Sequence, residues 1–172
     1  MQPSKKALEE FKGIYKKKTG KELSDQEAYE MANNLLNFVE LLYECARKEA
    51  IKKRKLKEHP GGFHLEDGIY NCLICHRQVT GKESWYDELG PKCLICQKAI
   101  NKGVVPKYVC KNRDSWYAMW ELKSEFDINP ATANKMMREG KLKARIIQDE
   151  AGRDYFYVFL VKENKGLSGR KK

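Results

Sequence analysis

Histidine is scarce in this chain, three residues in 172, and two of them, His59 and His64, lie in or beside a proline-glycine hinge. The sequence holds no His-Glu-x-x-His, no glycine-rich phosphate loop and no nucleophile elbow. Acidic residues are plentiful but interleaved with bases, as on solvated helices, so no carboxylate cluster for a metal-dependent nuclease can be assembled. A non-enzymatic protein is the expectation. Long apolar runs are missing as well. None approaches the ~20 residues that cross a bilayer, mean hydropathy is -0.73, and 34% of residues are charged. No membrane partner is therefore expected. Residues Met1 to Lys6 lead into a charged helix pattern rather than the apolar core of a secretory signal. The expected compartment is cytoplasmic, where structural disulfides are rare.

What is present is basic charge. Lys and Arg number 34 against 24 Asp and Glu, a net +10. The surplus sits at the two ends: residues 1–23 carry +4 and residues 108–172 carry +5, while 24–60 are neutral. Such a balance favours a polyanionic partner, nucleic acid first, over the plain alternative of a merely soluble lysine-rich surface.

The six cysteines are unevenly used. Four form Cys72-Leu-Ile-Cys75 and, seventeen residues on, Cys93-Leu-Ile-Cys96. Two Cys-x-x-Cys turns at that separation can aim four thiolates at one ion and close a tetrahedral shell. The alternatives are a pair of disulfides or a redox dithiol, and a cytosolic setting favours one structural Zn2+. Gly81, Trp85-Tyr86-Asp87 and Gly90-Pro91 lie between the pairs and predict a short hairpin returning to the metal. His64 and His76 are read as neighbours of the site, not ligands. Cys110 has no partner cysteine nearby, and Cys45 is expected to be a buried, inert thiol on a helix. A shell of four thiolates has no open position, which argues again for structure over catalysis.

The N-terminal segment, residues 1–59, reads as a helical hairpin. A short amphipathic helix over residues 4–18 ends at Gly20, and Ser24 with Glu27 forms a capping box for a long helix from about Asp25 towards Glu58. Ala28, Met31, Ala32, Leu35, Phe38, Val39 and Leu42 recur at three and four residues, broadened by Leu36 and Leu41. Such a stripe must be covered by the rest of the chain, by a homodimer partner or by another protein. The end of this helix is strongly basic, and Lys52, Lys53, Arg54 and Lys55 are candidate phosphate contacts. His59-Pro60-Gly61-Gly62 then makes a hinge.

Residues 63–107 form the zinc segment, a generic ribbon over residues 70–98. Residues 108–164 carry the sharpest pattern. Asp114-Ser115 is expected to cap a helix through Trp116, Met119, Trp120, Leu122 and Phe126. Asn129-Pro130 starts a second helix that ends at Gly140. After it, Leu142, Ala144 and Ile146 alternate with Lys141, Lys143 and Arg145, predicting a strand with one apolar and one basic face. Tyr155 to Val161 is the β-prone return strand. The expected architecture is thus α+β and multi-module: an N-terminal helical hairpin, a central four-cysteine zinc ribbon, a C-terminal winged helix-turn-helix, then a disordered basic tail over residues 165–172.

Residues 115–164 resemble the winged helix-turn-helix of the MerR/excisionase group, with Arg138-Glu139-Gly140-Lys141-Leu142 at the junction between recognition helix and wing. The resemblance implies duplex DNA as partner and a role as transcription regulator or accessory factor of a mobile element. On the second helix the side chains left outside the core, Thr132, Asn134, Lys135 and Arg138, are the expected base readers. Lys141, Lys143, Arg145 and Arg153 would meet phosphates or the minor groove. The rival expectation is an adaptor, whose ribbon and long helix dock on a larger complex.

Overall fold

The computed structural model describes residues 3–167, so residues 168–172 of the expected basic tail lie outside the described residues. The fold is mixed α+β and divides into two units, residues 1–57 and 58–172.

In the first unit, α1 spans Lys5–Thr19 and α2 spans Asp25–Glu58. Ser4 Oγ accepts from the Ala7 amide at 3.2 Å, closing the start of α1. Gly20, with φ of 74°, turns the chain out of it in the left-handed conformation that glycine adopts without strain. Lys12 pairs with Asp25 across the link between the helices. Ser24 and Glu27 form the expected box: the Ser24 amide donates to Glu27 Oε2 at 2.9 Å and the Glu27 amide to Ser24 Oγ at 3.3 Å. Along α2 only Ala28 and Ala32 are buried. Leu35 is 50% exposed and Phe38 56%. Cys45, expected to be buried, is exposed because it lies on this uncovered length of helix.

The second unit begins with Phe63 bridged to Tyr86. Two antiparallel hairpins follow: β1 (Ile69–Asn71) with β2 (Gln78–Thr80), and β3 (Ser84–Asp87) with β4 (Gly90–Cys93). Gly81 joins them where no other residue fits, since a Cβ there would stand 2.1 Å from the Glu66 carbonyl oxygen. The α3 helix (Leu94–Asn101) leaves directly from β4, and α4 (Tyr108–Lys111) is a single turn. Next come β5 (Trp116–Ala118), α5 (Met119–Phe126), α6 (Pro130–Arg138), β6 (Arg145–Gln148) and β7 (Asp154–Leu160). The last three strands form one antiparallel sheet in the order β5-β7-β6.

Two expectations are corrected here. Trp116 and Tyr117 do not start a helix. They are aromatic β-formers and pair with Leu160 and Phe159 of β7. Helix α5 begins only at Met119, where Glu121 Oε2 accepts from the Ala118 amide at 2.8 Å. The wing strand is also displaced. Leu142 is buried before the strand starts, and Ile147, not Ile146, enters the core. The cause is a clamp: the Asn164 side chain accepts from the Lys143 amide at 2.7 Å and donates to the Lys143 and Leu160 carbonyls at 3.0 and 2.8 Å. Those bonds hold residues 141–144 out of the ladder, so the two-residue alternation restarts afterwards.

The four-cysteine segment and the C-terminal sheet share one apolar core. Ile74, Ile100 and Val105 pack with Trp116, Val158 and Leu160 in a single cluster that includes the four cysteines. A second cluster seats α5 and α6 on the sheet through Tyr117, Leu122, Ala133, Leu142 and Phe159. Leu167, placed in the tail on sequence, is buried in it. Among the described residues one charged side chain lies fully inside: Lys92 is 0% exposed. Its Nζ donates to Asp87 Oδ1 at 2.5 Å and to the Gly90 carbonyl at 2.7 Å. Lys92→Ala leaves Asp87 without its cation, and the expected loss is about 3–5 kcal/mol of folding stability in a denaturant titration.

Candidate metal centre and nucleic-acid face

Each cysteine pair is placed by backbone chemistry local to it. In the first knuckle the His76 amide donates to the Cys72 carbonyl at 2.9 Å, and the Cys72 amide to the Arg77 carbonyl at 2.9 Å. The turn is completed by His76 in the left-handed region, with φ of 57°. Its ring is thereby sent outward, near Trp120 at 6.0 Å between centroids. In the second knuckle Cys93 ends β4 and caps α3, its Sγ accepting from the Cys96 amide at 3.4 Å. Cys96 sits in the first turn of that helix. The Leu73 amide donates to the Pro91 carbonyl at 3.1 Å, tying one knuckle to the other.

The sulfur atoms of Cys72, Cys75, Cys93 and Cys96 all lie within 4.8 Å of one another, and all four residues are buried. This is the spacing of a tetrahedral metal shell, in which edges of a little under 4 Å follow from metal–sulfur bonds of about 2.3 Å. Their protonation equilibria are driven apart. Cys72 is pushed below the ordinary thiol range because the Cys75, Cys93 and Cys96 sulfurs donate to it. Cys96 is pushed above that range, first by the Cys72 sulfur. Four thiolates in so small a space need a cation. Cys110 stands outside the set, its thiol raised by burial. His64 is also outside it, with Nδ1 at 2.8 Å from the Ser84 carbonyl oxygen.

Sequence reasoning missed Tyr155. Its hydroxyl reaches Cys75 Sγ at 3.6 Å and Cys93 Sγ at 3.9 Å. Arg77 lies over its ring, 4.7 Å from the centroid. Tyr155 belongs to β7, 80 residues after Cys75, and no spacing rule reaches that far. A phenol there can donate to sulfur and would disperse the charge of a thiolate, as outer partners of metal ligands commonly do.

The face expected to read nucleic acid is built on α6. Asn129 Oδ1 accepts from the Thr132 amide at 2.8 Å, Pro130 opens the helix, and Gly140 with φ of 69° follows its end. Ala133 is buried and Met136 and Met137 are half-buried beneath the helix, leaving Thr132, Asn134, Lys135 and Arg138 exposed. Arg138 Nε donates to the Asn134 carbonyl at 3.4 Å. Glu139 lies between two lysines, 2.7 Å from Lys141 Nζ and 3.9 Å from Lys135 Nζ. Lys143 is exposed beside them. Arg145 is gripped by Glu163, Nε to Oε2 at 3.0 Å and a second nitrogen to Oε1 at 2.5 Å. Arg153 Nε bonds Asp149 Oδ2 at 2.8 Å. Both guanidinia would have to trade a carboxylate for a phosphate. The four candidate cations of α2 lie in the other unit: Lys53 and Arg54 are exposed, Lys52 and Lys55 half-buried, and Lys52 Nζ donates to Glu49 at 2.8 Å.

No protein-family model, no curated protein and no solved structure matches this chain. Removing only the hydroxyl, Tyr155→Phe, should leave the fold unchanged. Metal bound by the cysteines should then escape to a competing chelator with an affinity lowered about tenfold.

Proposed function

We propose that the four cysteines hold one structural Zn2+, and that the protein is a non-enzymatic, zinc-containing duplex-DNA-binding protein of the cell interior. On this reading it acts as a transcription regulator or as an architectural factor of a mobile element. Soft thiolate ligands select zinc among the common divalent ions, and four of them leave no position for a substrate. The observation that carries DNA binding is the outward side of α6, where Thr132, Asn134, Lys135 and Arg138 are all exposed while Ala133 is buried. The order strand, two helices, hairpin supports the resemblance to the MerR/excisionase group, and the surplus of cations supports an anionic partner.

In this reading Arg138 and Lys135 contact guanine edges, Asn134 contacts adenine and Thr132 a thymine methyl. Lys141 and Lys143 hold phosphates on the wing side, with Arg145 and Arg153 joining once their carboxylates release them. Phosphate contacts fix register and the helix supplies selectivity. The metal acts at a distance, through the core that the cysteines share with Trp116 and Val158.

Selection from a randomised duplex pool, followed by titration at rising salt, tests the proposal. If these four cations meet phosphates, the log–log slope of affinity against salt should be roughly -3 to -4. Lys135→Glu together with Arg138→Glu should abolish selectivity with the fold unchanged; unaltered selectivity refutes these readers. A chelator should release one zinc per chain and alter the fluorescence of Trp116, since unfolding the ribbon opens the core around it.

A further inference from the structure

The exposed stripe of α2 carries a charge pattern that selects its own partner. Between Asp25 and Ala46 the helix has five acidic residues, Asp25, Glu27, Glu30, Glu40 and Glu44, and no base. From Arg47 to Lys57 it has seven bases and one acid. Between these ends Met31, Leu35, Phe38, Val39 and Leu42 form an apolar face, each 38–56% exposed. A second copy laid parallel would set seven cations against seven. Laid antiparallel about the middle of that face, it sets Asp25, Glu27 and Glu30 level with the start of the basic run, Arg47 to Lys52, and opposes the two helix dipoles.

We propose that α2 associates with α2 of a second copy of this chain as an antiparallel pair whose two-fold axis passes between Phe38 and Val39. The register follows from the apolar positions. About that axis Phe38 meets the partner's Val39, Leu35 the partner's Leu42, and Met31 the partner's Ala46, so each of these layers has an apolar side chain on both helices. The same axis brings Glu30 to within a residue of the level of the partner's Lys48. By helical spacing both lie on one flank of the stripe, and both are exposed. Within one chain they are 18 positions apart, roughly 27 Å by the ~1.5 Å rise of a helix, too far to pair. The buried Ala32 falls on the other flank, so whatever covers it leaves the Glu30 side open.

Sedimentation equilibrium of the full chain tests this. A dimer is expected whose dissociation constant rises with salt, because screening weakens opposite charges across the pair. Leu35→Glu with Leu42→Glu should give a monomer with unchanged helix content by circular dichroism. Glu30→Lys and Lys48→Glu should each raise the dissociation constant about fivefold, and the two together should restore it to about twice the original value or better. Exposed Cys45 reports direction. It lies roughly 20 Å from its twin in the antiparallel pair by the same rise, so a short bis-maleimide should not join the two copies. In a Cys45→Ala chain, Phe38→Cys should be joined. A monomer at every concentration, a dimer indifferent to Leu35→Glu with Leu42→Glu, a double charge reversal no better than the singles, or ready Cys45–Cys45 linkage would each overturn the proposal.

Discussion

Four sulfur atoms held within 4.8 Å of one another inside an apolar core are the constraint on which the second unit depends. Packed as thiolates they repel, and packed as thiols they leave much of their bonding capacity idle; a cation at the centre relieves both problems. Each knuckle has its own backbone turn, but the tetrahedron forms only when the Leu73 amide meets the Pro91 carbonyl and the two turns are tied together. The cluster is also in the middle of the core rather than at its edge. Trp116, Val158 and Leu160 of the C-terminal sheet pack on the same residues, so ribbon and sheet stand or fall together.

Tyr155 shows how closely the two are joined. It is a strand residue, and its hydroxyl ends at the sulfurs of Cys75 and Cys93 while its ring carries Arg77. Burial and the neighbouring sulfurs both push its ionisation upward, so the phenol stays protonated and able to donate. The consequence is a sheet whose central strand is positioned in part by the four-cysteine cluster. That strand also supports α5 and α6 through Phe159, which sits in the cluster beneath them.

Much of this was legible along the chain. The helix caps at Ser24 and Asn129 are local chemistry, and each is found where its residue type predicts it. The Cys-x-x-Cys pairs were equally plain, because a knuckle needs only neighbouring residues to form. The exposed side of α6 could be read from the three- and four-residue spacing around Ala133. Two features failed for the same reason. Asp114 and Ser115 can cap a helix, and that local signal misassigns Trp116 and Tyr117. The partners that make them a strand, Leu160 and Phe159, lie more than forty residues on. The wing alternation slipped because Asn164, late in the chain, clamps the backbone of Lys143.

What the sequence alone determined is what short-range bonding decides: where helices start and stop, which cysteines work together, and which faces carry charge. Only the tertiary structure decided that Tyr155 meets the sulfurs, that Lys92 is buried against Asp87, and that the stripe of α2 stays exposed. Each of those depends on which distant residues come together and which surface is left over when they do. Their energies come from burial and shared partners, which no local pattern encodes.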